Sequence, residues 1–396
     1  MALRSQGKNS QLEWNPTSTV WVMKVVHITT VHPAFDTRIF HKEAKTLARA
    51  GYEVVLIAQH DGDEMVDGVK IVALPKPRNR FARIFGLTLQ AFHLALCERA
   101  EVYHFHDPEL LPIGVLLKIF TRAKVVYDVH EDVPEQILTK HWIPRLLRRP
   151  LAEVFNAFEK LLARALDAVV VATEGIAEKF ARLKPIVIHN YPDLGMLLNP
   201  STRHGEGKEK VLVYVGGISK IRGAIEMVRA LEHLSPVWDI RLDLIGKFEP
   251  PELEQELQGL PGYQRVRFLG WMPPENVYTH LANADVGLAC LHPEPRFMVA
   301  WPVKLFEYMA AGLPVVASNF PLWKEIVEGN RCGITVDPLD PKAIAQAIEY
   351  LLTHPEEACQ MGENGRRAVE EKYNWEKEAE KLLALYKELV DSAKGW

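Results

Sequence analysis

Between Trp301 and Asn319 the chain reads WPVKLFEYMAAGLPVVASN, a stretch that leaves little choice of fold. Pro302 suits the first turn of a helix, where a missing N–H costs nothing. Leu305, Tyr308 and Met309 give that helix an apolar side, and Gly312 stands where a C-cap glycine would. Pro314–Ala317 is then a short apolar run without alternation, as a parallel strand buried on both faces requires. Helix, glycine turn and buried strand together point to an α/β domain with helices on both faces of a parallel sheet. Lys304 and Glu307 lie three residues apart and so share one helix face. They form either a surface ion pair, worth only ~0.5 kcal/mol, or a seat for a ligand with vicinal hydroxyls beside a diphosphate. In the second case the carboxylate accepts from the hydroxyls, while the cation and the helix N-terminus hold the anion.

The same alternation starts at Lys24. Lys24–Thr30 is a β-branched strand, 36–50 a helix with Phe40, Ala44, Leu47 and Ala48 on one face, and 53–58 the next strand. This β-α-β opening marks a doubly wound parallel sheet. The turn Thr30–Phe35 has no G-x-G-x-x-G to admit a pyrophosphate, which counts against an NAD- or FAD-dependent oxidoreductase. Val69–Leu74, 101–106, Lys124–Val129, 167–172 and 186–189 read as further strands, and the polar stretch 195–209 as a linker. At 396 residues the chain exceeds one ordinary core, so two domains are expected. Their bounds are 23–195 and 210–374, with 1–22 a flexible extension and 375–396 a terminal helix.

Composition narrows the function class. With 48% hydrophobic and 25% charged residues the chain is ordinary for a globular protein, and a net charge of −4 offers no basic domain for nucleic acid. Cys97, Cys290, Cys332 and Cys359 are scattered without a C-x-x-C, against a disulfide framework or zinc cluster and for a reducing cytoplasm. No apolar run reaches the ~20 residues of a membrane span. Two stretches, 76–85 (KPRNRFARIF) and 140–150 (KHWIPRLLRRP), mix cations with apolar residues. Each is either a solvated helix face packing its apolar side inward or a patch for an anionic membrane surface.

EVYHFHD and YDVHED place His104, His106, Asp107, Asp128, His130 and Glu131 at the C-terminal ends of two strands, where open α/β sheets bind ligands. Metal ligation, acid–base work by one histidine, and structural histidines bonded to backbone all stay open, although no H-E-x-x-H-like spacing favours a metal. In the second half VLVYVGGISKIRGAIEMVRAL reads strand, glycine turn, helix. Its glycines serve either a tight turn or a phosphate held by backbone N–H groups. Trp271, just after the strand 266–269, could stack on a base or fill a core.

The string P-x-K-x-x-E-x-M-A-x-G-x-P-V-V-A-S at 302–318 resembles the signature helix of the family-4 retaining glycosyltransferases. HPAFDTRIFHKEAKTLARAGYEVVLIA at 32–58, YDVHED and IHNYPD are similar to segments of that family's first domain. The resemblance implies the GT-B fold: two Rossmann-like doubly wound parallel-sheet domains, an interdomain cleft, and a C-terminal helix crossing back to the first domain. It implies metal-independent transfer from a nucleotide-diphosphate-sugar to an acceptor hydroxyl, lipid-linked or polysaccharide, with no cofactor. Glu307 would hold the ribose, with Leu305 beside it. Gly216, Gly217, Arg222 and Lys304 would hold the diphosphate, and Trp271 and Met272 fall in the base-recognition loop. His130 and Arg222 would stand at the reaction centre, with His32, His106, Asp107 and Glu131 on the acceptor side. The expected setting is the cytoplasm, with peripheral contact to an anionic inner membrane face through 76–85 and 140–150. Two positions depart from the family pattern: Val299 replaces a frequent second Glu, and Gly217 replaces an Arg for which Lys220 or Lys304 could compensate. They leave a second reading, a nucleotide-sugar-binding subunit of weak or no turnover, and a third, a nucleotide-sugar epimerase or a phosphorylase.

Overall fold

The computed structural model describes residues 22–130, 132–140, 143–196 and 209–394. The first sheet holds β1 (Lys24–Pro33), β2 (Glu53–Gln59), β3 (Glu64–Val66), β4 (Val69–Leu74), β5 (Val102–Phe105), β6 (Lys124–Val129), β7 (Ala168–Val171) and β8 (Ile186–Val187). Their order is β3-β4-β2-β1-β5-β6-β7-β8, parallel except for the β3–β4 pair. That edge hairpin, not anticipated from the sequence, turns on Asp67-Gly68, both at positive φ (50° and 81°). Asp-Gly between two strands is a turn signal, but three residues are too few to show strand alternation.

Along β1, Val26 and Ile28 enter one core with Tyr103, Phe105, Val125 and Tyr127. Val25 faces the other way, into a core covered by Ile39, Phe40 and Leu47 and by the last helix, Trp375–Lys394. That helix contributes Trp375, Leu382, Leu385 and Tyr386, and the Trp375 indole donates to Thr46 Oγ1 at 2.9 Å. The C-terminal segment therefore crosses back and packs on the first sheet.

The second sheet holds β9 (Glu209–Val215), β10 (Asp239–Ile245), β11 (Val266–Gly270), β12 (Val286–Ala289), β13 (Val315–Ser318) and β14 (Gly333–Val336), ordered β11-β10-β9-β12-β13-β14 and parallel in each pair. It is cored on both faces, as the unalternating apolar strands required. The signature segment is the helix Val303–Ala310 followed by β13, with Gly312 at φ 75°.

Two helices depart from expectation. Over 36–50 a π-helical turn, Ile39–Ala44, precedes the α-helical Lys45–Arg49. Asp36 Oδ1 accepts from the N–H of Arg38 and of Ile39, and the Glu43 N–H reaches the Arg38 carbonyl at 2.9 Å. The wider turn buries two successive charged residues, Lys42 and Glu43. The long helix expected at 151–166 begins earlier, at Arg145 directly after Pro144, and runs to Ala163.

Candidate active site

Because both sheets are parallel, their strand ends carry the loops that meet across the cleft. In the second domain β9 leads into Gly216, at φ 122°, and Gly217. The Tyr214 hydroxyl donates to the Gly217 carbonyl at 2.8 Å, fixing the turn. A Cβ on Gly216 would stand 3.1 Å from Lys304 Nζ, and one on Gly217 only 2.5 Å from Arg222 Nη1. Arg222 thus occupies the space where a side chain at 217 would start. Gly223 closes the turn at φ 75°, where a Cβ would meet the Cys290 carbonyl oxygen at 1.8 Å.

Lys304 is the second residue of the signature helix. Its amine lies 3.9 Å from the Tyr214 ring centroid, is buried, and has no hydrogen-bond partner among the described residues. Burial and the neighbouring Arg222 hold its pKa well below the usual lysine value. Two cations, a glycine turn and a helix N-terminus therefore meet at one point, an arrangement that favours a compact anion.

One turn further along, Glu307 lines a cavity of about 510 Å³ with Arg38, His130, Asn190 and Trp301. That cavity is walled by residues of both domains, so Glu307 borders the opening between them. Burial raises its pKa, against the pull of Lys42 and Lys304. Lys42, from the first domain, donates to Asn190, and burial lowers its pKa to about 8 against the pull of Glu307.

The opposite wall is a connected polar network. Arg38 holds Asp128 in a bidentate pair, Nε to Oδ2 at 2.8 Å and Nη2 to Oδ1 at 2.9 Å. His106 Nδ1–H donates to Asp128 Oδ2 at 3.0 Å, so its Nε2 is free to accept from His27 Nδ1–H at 2.9 Å. His104 Nδ1 lies 2.9 Å from the Tyr386 hydroxyl. Burial would raise the Asp128 carboxyl, but Arg38 and His106 hold it well below the ordinary range. Burial keeps His27, His104 and His106 neutral, and raises Glu43 with help from Asp128. At the front of this network His130 Nε2 meets His32 Nε2 at 3.0 Å, and both rings line the interdomain cavity.

A family model described as Glycosyl transferase 4-like domain matches residues 37–189, and one described as Glycosyl transferases group 1 matches 209–354. The chain belongs to this glycosyl transferase family. The glycosyltransferase is 24% identical to the MMP alpha-(1->4)-mannosyltransferase of Mycolicibacterium hassiacum over 314 residues, 76% of this chain and 74% of that protein. It is 31% identical to the D-inositol 3-phosphate glycosyltransferase of Corynebacterium urealyticum over 189 residues, 46% of this chain and 43% of that one. Sucrose-phosphate synthase from Thermosynechococcus elongatus superposes with TM-score 0.74 at 21% identity, over 93% of this chain and 100% of that one. The Anabaena protein HepE in complex with UDP-glucose gives TM-score 0.70 at 15% identity, over 92% and 100%. At these identities the two structures show the shared GT-B fold.

Other residues singled out in the glycosyltransferase fall in three places. Leu305 is fully buried and its N–H donates to the Pro302 carbonyl at 3.0 Å. Trp271 is 66% exposed with Lys247 above its ring, which removes the core alternative, while Met272 packs partly against the core. Asp107 accepts from Thr29 Oγ1 and from the N–H groups of Thr30 and Val31, holding the loop that carries His32. His106 is buried behind His130 and does not front the interdomain cavity, but with Asp107 it lines the adjoining cavity of the first domain that also begins at His32 and His130. Glu131 lies outside the described residues, as do His141 and Trp142 of the second basic stretch. Val299 is 64% exposed on the loop before the signature helix. The sequence reading missed Arg38, Lys42, Asn190 and Glu249, whose Oε2 is 2.9 Å from where a Gly217 Cβ would stand. Lys42 and Glu43 inside an otherwise apolar helix face were the available signal.

Proposed function

We propose that this glycosyltransferase moves a sugar, with retention and without a metal, from a nucleoside-diphosphate donor to an acceptor hydroxyl. The observation that carries this reading is the buried Lys304 amine, without a hydrogen-bond partner among the described residues, beside Arg222 and Gly216 and one helical turn from Glu307, which shares the interdomain cavity with His130. Glu307 accepts two ribose hydroxyls, and Lys304, Arg222 and the glycine turn take the diphosphate. The bond from the anomeric carbon to the phosphate oxygen breaks with its electron pair passing to the diphosphate, where the two cations receive it. The acceptor oxygen attacks from the same face and its proton passes to the departing phosphate. His130 orients the reacting hydroxyls. Arg222 is the second cation of the family pattern, and Lys304, beside Gly216, stands in for the arginine missing at 217, since Lys220 is paired with Glu256. The UDP-glucose in HepE makes uridine donors the first to test.

The described residues contain no helix long and apolar enough to cross a membrane. Contact with an anionic membrane face through 76–85 and 140–150 is part of this proposal, supported by Phe81, Phe85, Leu146 and Leu147, all more than half exposed near arginines. The functional reading is tested by thermal-shift titration with uridine, guanosine and adenosine diphosphate-sugars. One of them stabilises the protein, and Glu307→Gln removes most of that shift. No shift from any of the three, or a shift indifferent to Glu307→Gln, overturns the reading. Release of nucleoside diphosphate that requires an acceptor alcohol separates it from a binding subunit and from an epimerase.

A further inference from the structure

A second cavity, of about 640 Å³, begins at the same two histidines, His32 and His130, but extends into the first domain. Only those two residues line both cavities. Its far wall is Leu151, Phe155 and Phe158, at i, i+4 and i+7 on the helix Arg145–Ala163. Leu151 is 46% and Phe158 44% exposed, an apolar surface facing an opening. The Tyr127 hydroxyl donates to Glu159 Oε1 at 2.7 Å, tying this helix to β6, the strand that ends at His130. The apolar row is therefore held at a set distance from the reacting histidine. Beyond it the core is thin: Ile137, Ile143 and Ala152 form a small cluster apart from the main one.

A sugar or alcohol hydroxyl needs only the histidine end of this space. An apolar wall continuous with the reacting groups serves a ligand that is polar at one end and apolar at the other. We propose that this cavity is the acceptor site and that the acceptor carries an apolar chain. Its hydroxylated head sits at His130 and its chain lies along Leu151, Phe155 and Phe158. The inference rests on the transferase reading, and it favours a lipid-linked acceptor over a polysaccharide.

The test is isothermal titration calorimetry with maltose and with dodecyl β-D-maltoside kept below micelle formation. Each buried methylene is worth about fourfold in affinity, so the dodecyl compound binds at least roughly tenfold more tightly. Leu151→Asp and Phe158→Asp, both on an exposed face that can carry charge without unfolding, each remove most of that preference. Val154→Asp, 66% exposed on the same helix and outside the cavity lining, keeps it. Dodecyl maltoside binding no better than maltose, including no binding of either, overturns the inference. So does a preference that survives Phe158→Asp, or one that Val154→Asp removes as well. Nucleoside diphosphate binding, measured on the same samples, separates the two claims: if it is intact while the chain preference is missing, the chain inference alone has failed.

Discussion

The two walls of the cleft handle charge in opposite ways. On the second-domain side the Lys304 amine is buried with no hydrogen-bond partner among the described residues, and Arg222 makes a long bond, 3.4 Å, to the Gly217 carbonyl. On the first-domain side Asp128 is bound by Arg38 through both oxygens and by His106, and His106 is in turn bound by His27. An under-satisfied buried cation is costly until an anion arrives, so that wall is built to bind. A network whose central charges are paired, as Asp128 is, gains little from a ligand, so the other wall is built to position, although His104 Nε2 and both Glu43 carboxylate oxygens in it lack a hydrogen bond among the described residues. Affinity for the nucleotide and orientation of the reacting hydroxyl are thus divided between domains.

The division is sharpest in the catalytic variants. His130→Ala lowers kcat by at least roughly 10²-fold, the cost of misplaced reacting groups, and leaves the nucleoside diphosphate Kd within about twofold. A Kd that rises with the fall in kcat would break the comparison, because the positioning wall would then be binding as well. Lys304→Met comes next. It costs roughly 10²–10³-fold in kcat, the scale of one lost oxyanion donor, and it also weakens the nucleoside diphosphate in equilibrium titration. Unchanged Kd in Lys304→Met would place the diphosphate elsewhere.

The binding wall was more legible in the sequence than the positioning wall. Gly216 and Arg222 sit in one short string and Lys304 and Glu307 in another, each with its helix, turn and strand periods intact, and the family resemblance brings the two strings together. The strands of both sheets, β3 apart, were legible in apolar runs of the same kind. The positioning wall depends on pairs far apart in the chain: His104 and Tyr386 are separated by 282 residues, and Arg38 and Asp128 by 90. No local period encodes such pairs. The π-helical turn at Ile39–Ala44 adds a second obstacle, since its i→i+5 bonding puts Lys42 and Glu43 both inward, where a 3.6-residue period separates neighbours by about 100°. The Gly217 departure was visible, but not that Arg222 already fills its space.

The positioning wall should also dominate the pH dependence of stability. In the folded state burial keeps His27, His104 and His106 neutral, whereas each takes up a proton in the unfolded chain below about pH 6.5. The unfolded state then binds more protons, so stability is lost as pH falls through that value. Glu43 acts in the opposite sense, because its raised pKa keeps a proton in the folded state that the unfolded chain releases above about 4.5. Between pH 6 and pH 5 the histidines therefore pull the unfolding free energy down, against the raised carboxyls of Glu43 and Glu307. Urea titration followed by tryptophan fluorescence measures the profile, and His104→Gln should make the loss on acidification smaller. A loss that His104→Gln leaves unchanged would mean that this imidazole is already charged inside the fold.

The smallest effect concerns the helix that joins the two halves. Tyr386 comes from the end of the chain, after the second sheet is complete, yet its hydroxyl bonds His104 at 2.9 Å and lies 3.5 Å from His27 Nε2. His104 Nε2 already lacks a partner, so Tyr386→Phe leaves both nitrogens of a buried imidazole unsatisfied while removing almost no volume. The cost should be about 1–3 kcal/mol of stability, with nucleoside diphosphate affinity unchanged, because neither Lys304 nor Glu307 touches this network. If Tyr386→Phe instead weakens the nucleotide, the histidine network must transmit to the cation site across the cleft. The path on hand for that is short: Glu43 and Lys42 are consecutive in the π-helical turn, one facing Arg38 and the histidines and the other facing Asn190 and Glu307. A shift of one turn of helix would move both walls together, and the division of labour between the domains would then be a property of the open cleft only.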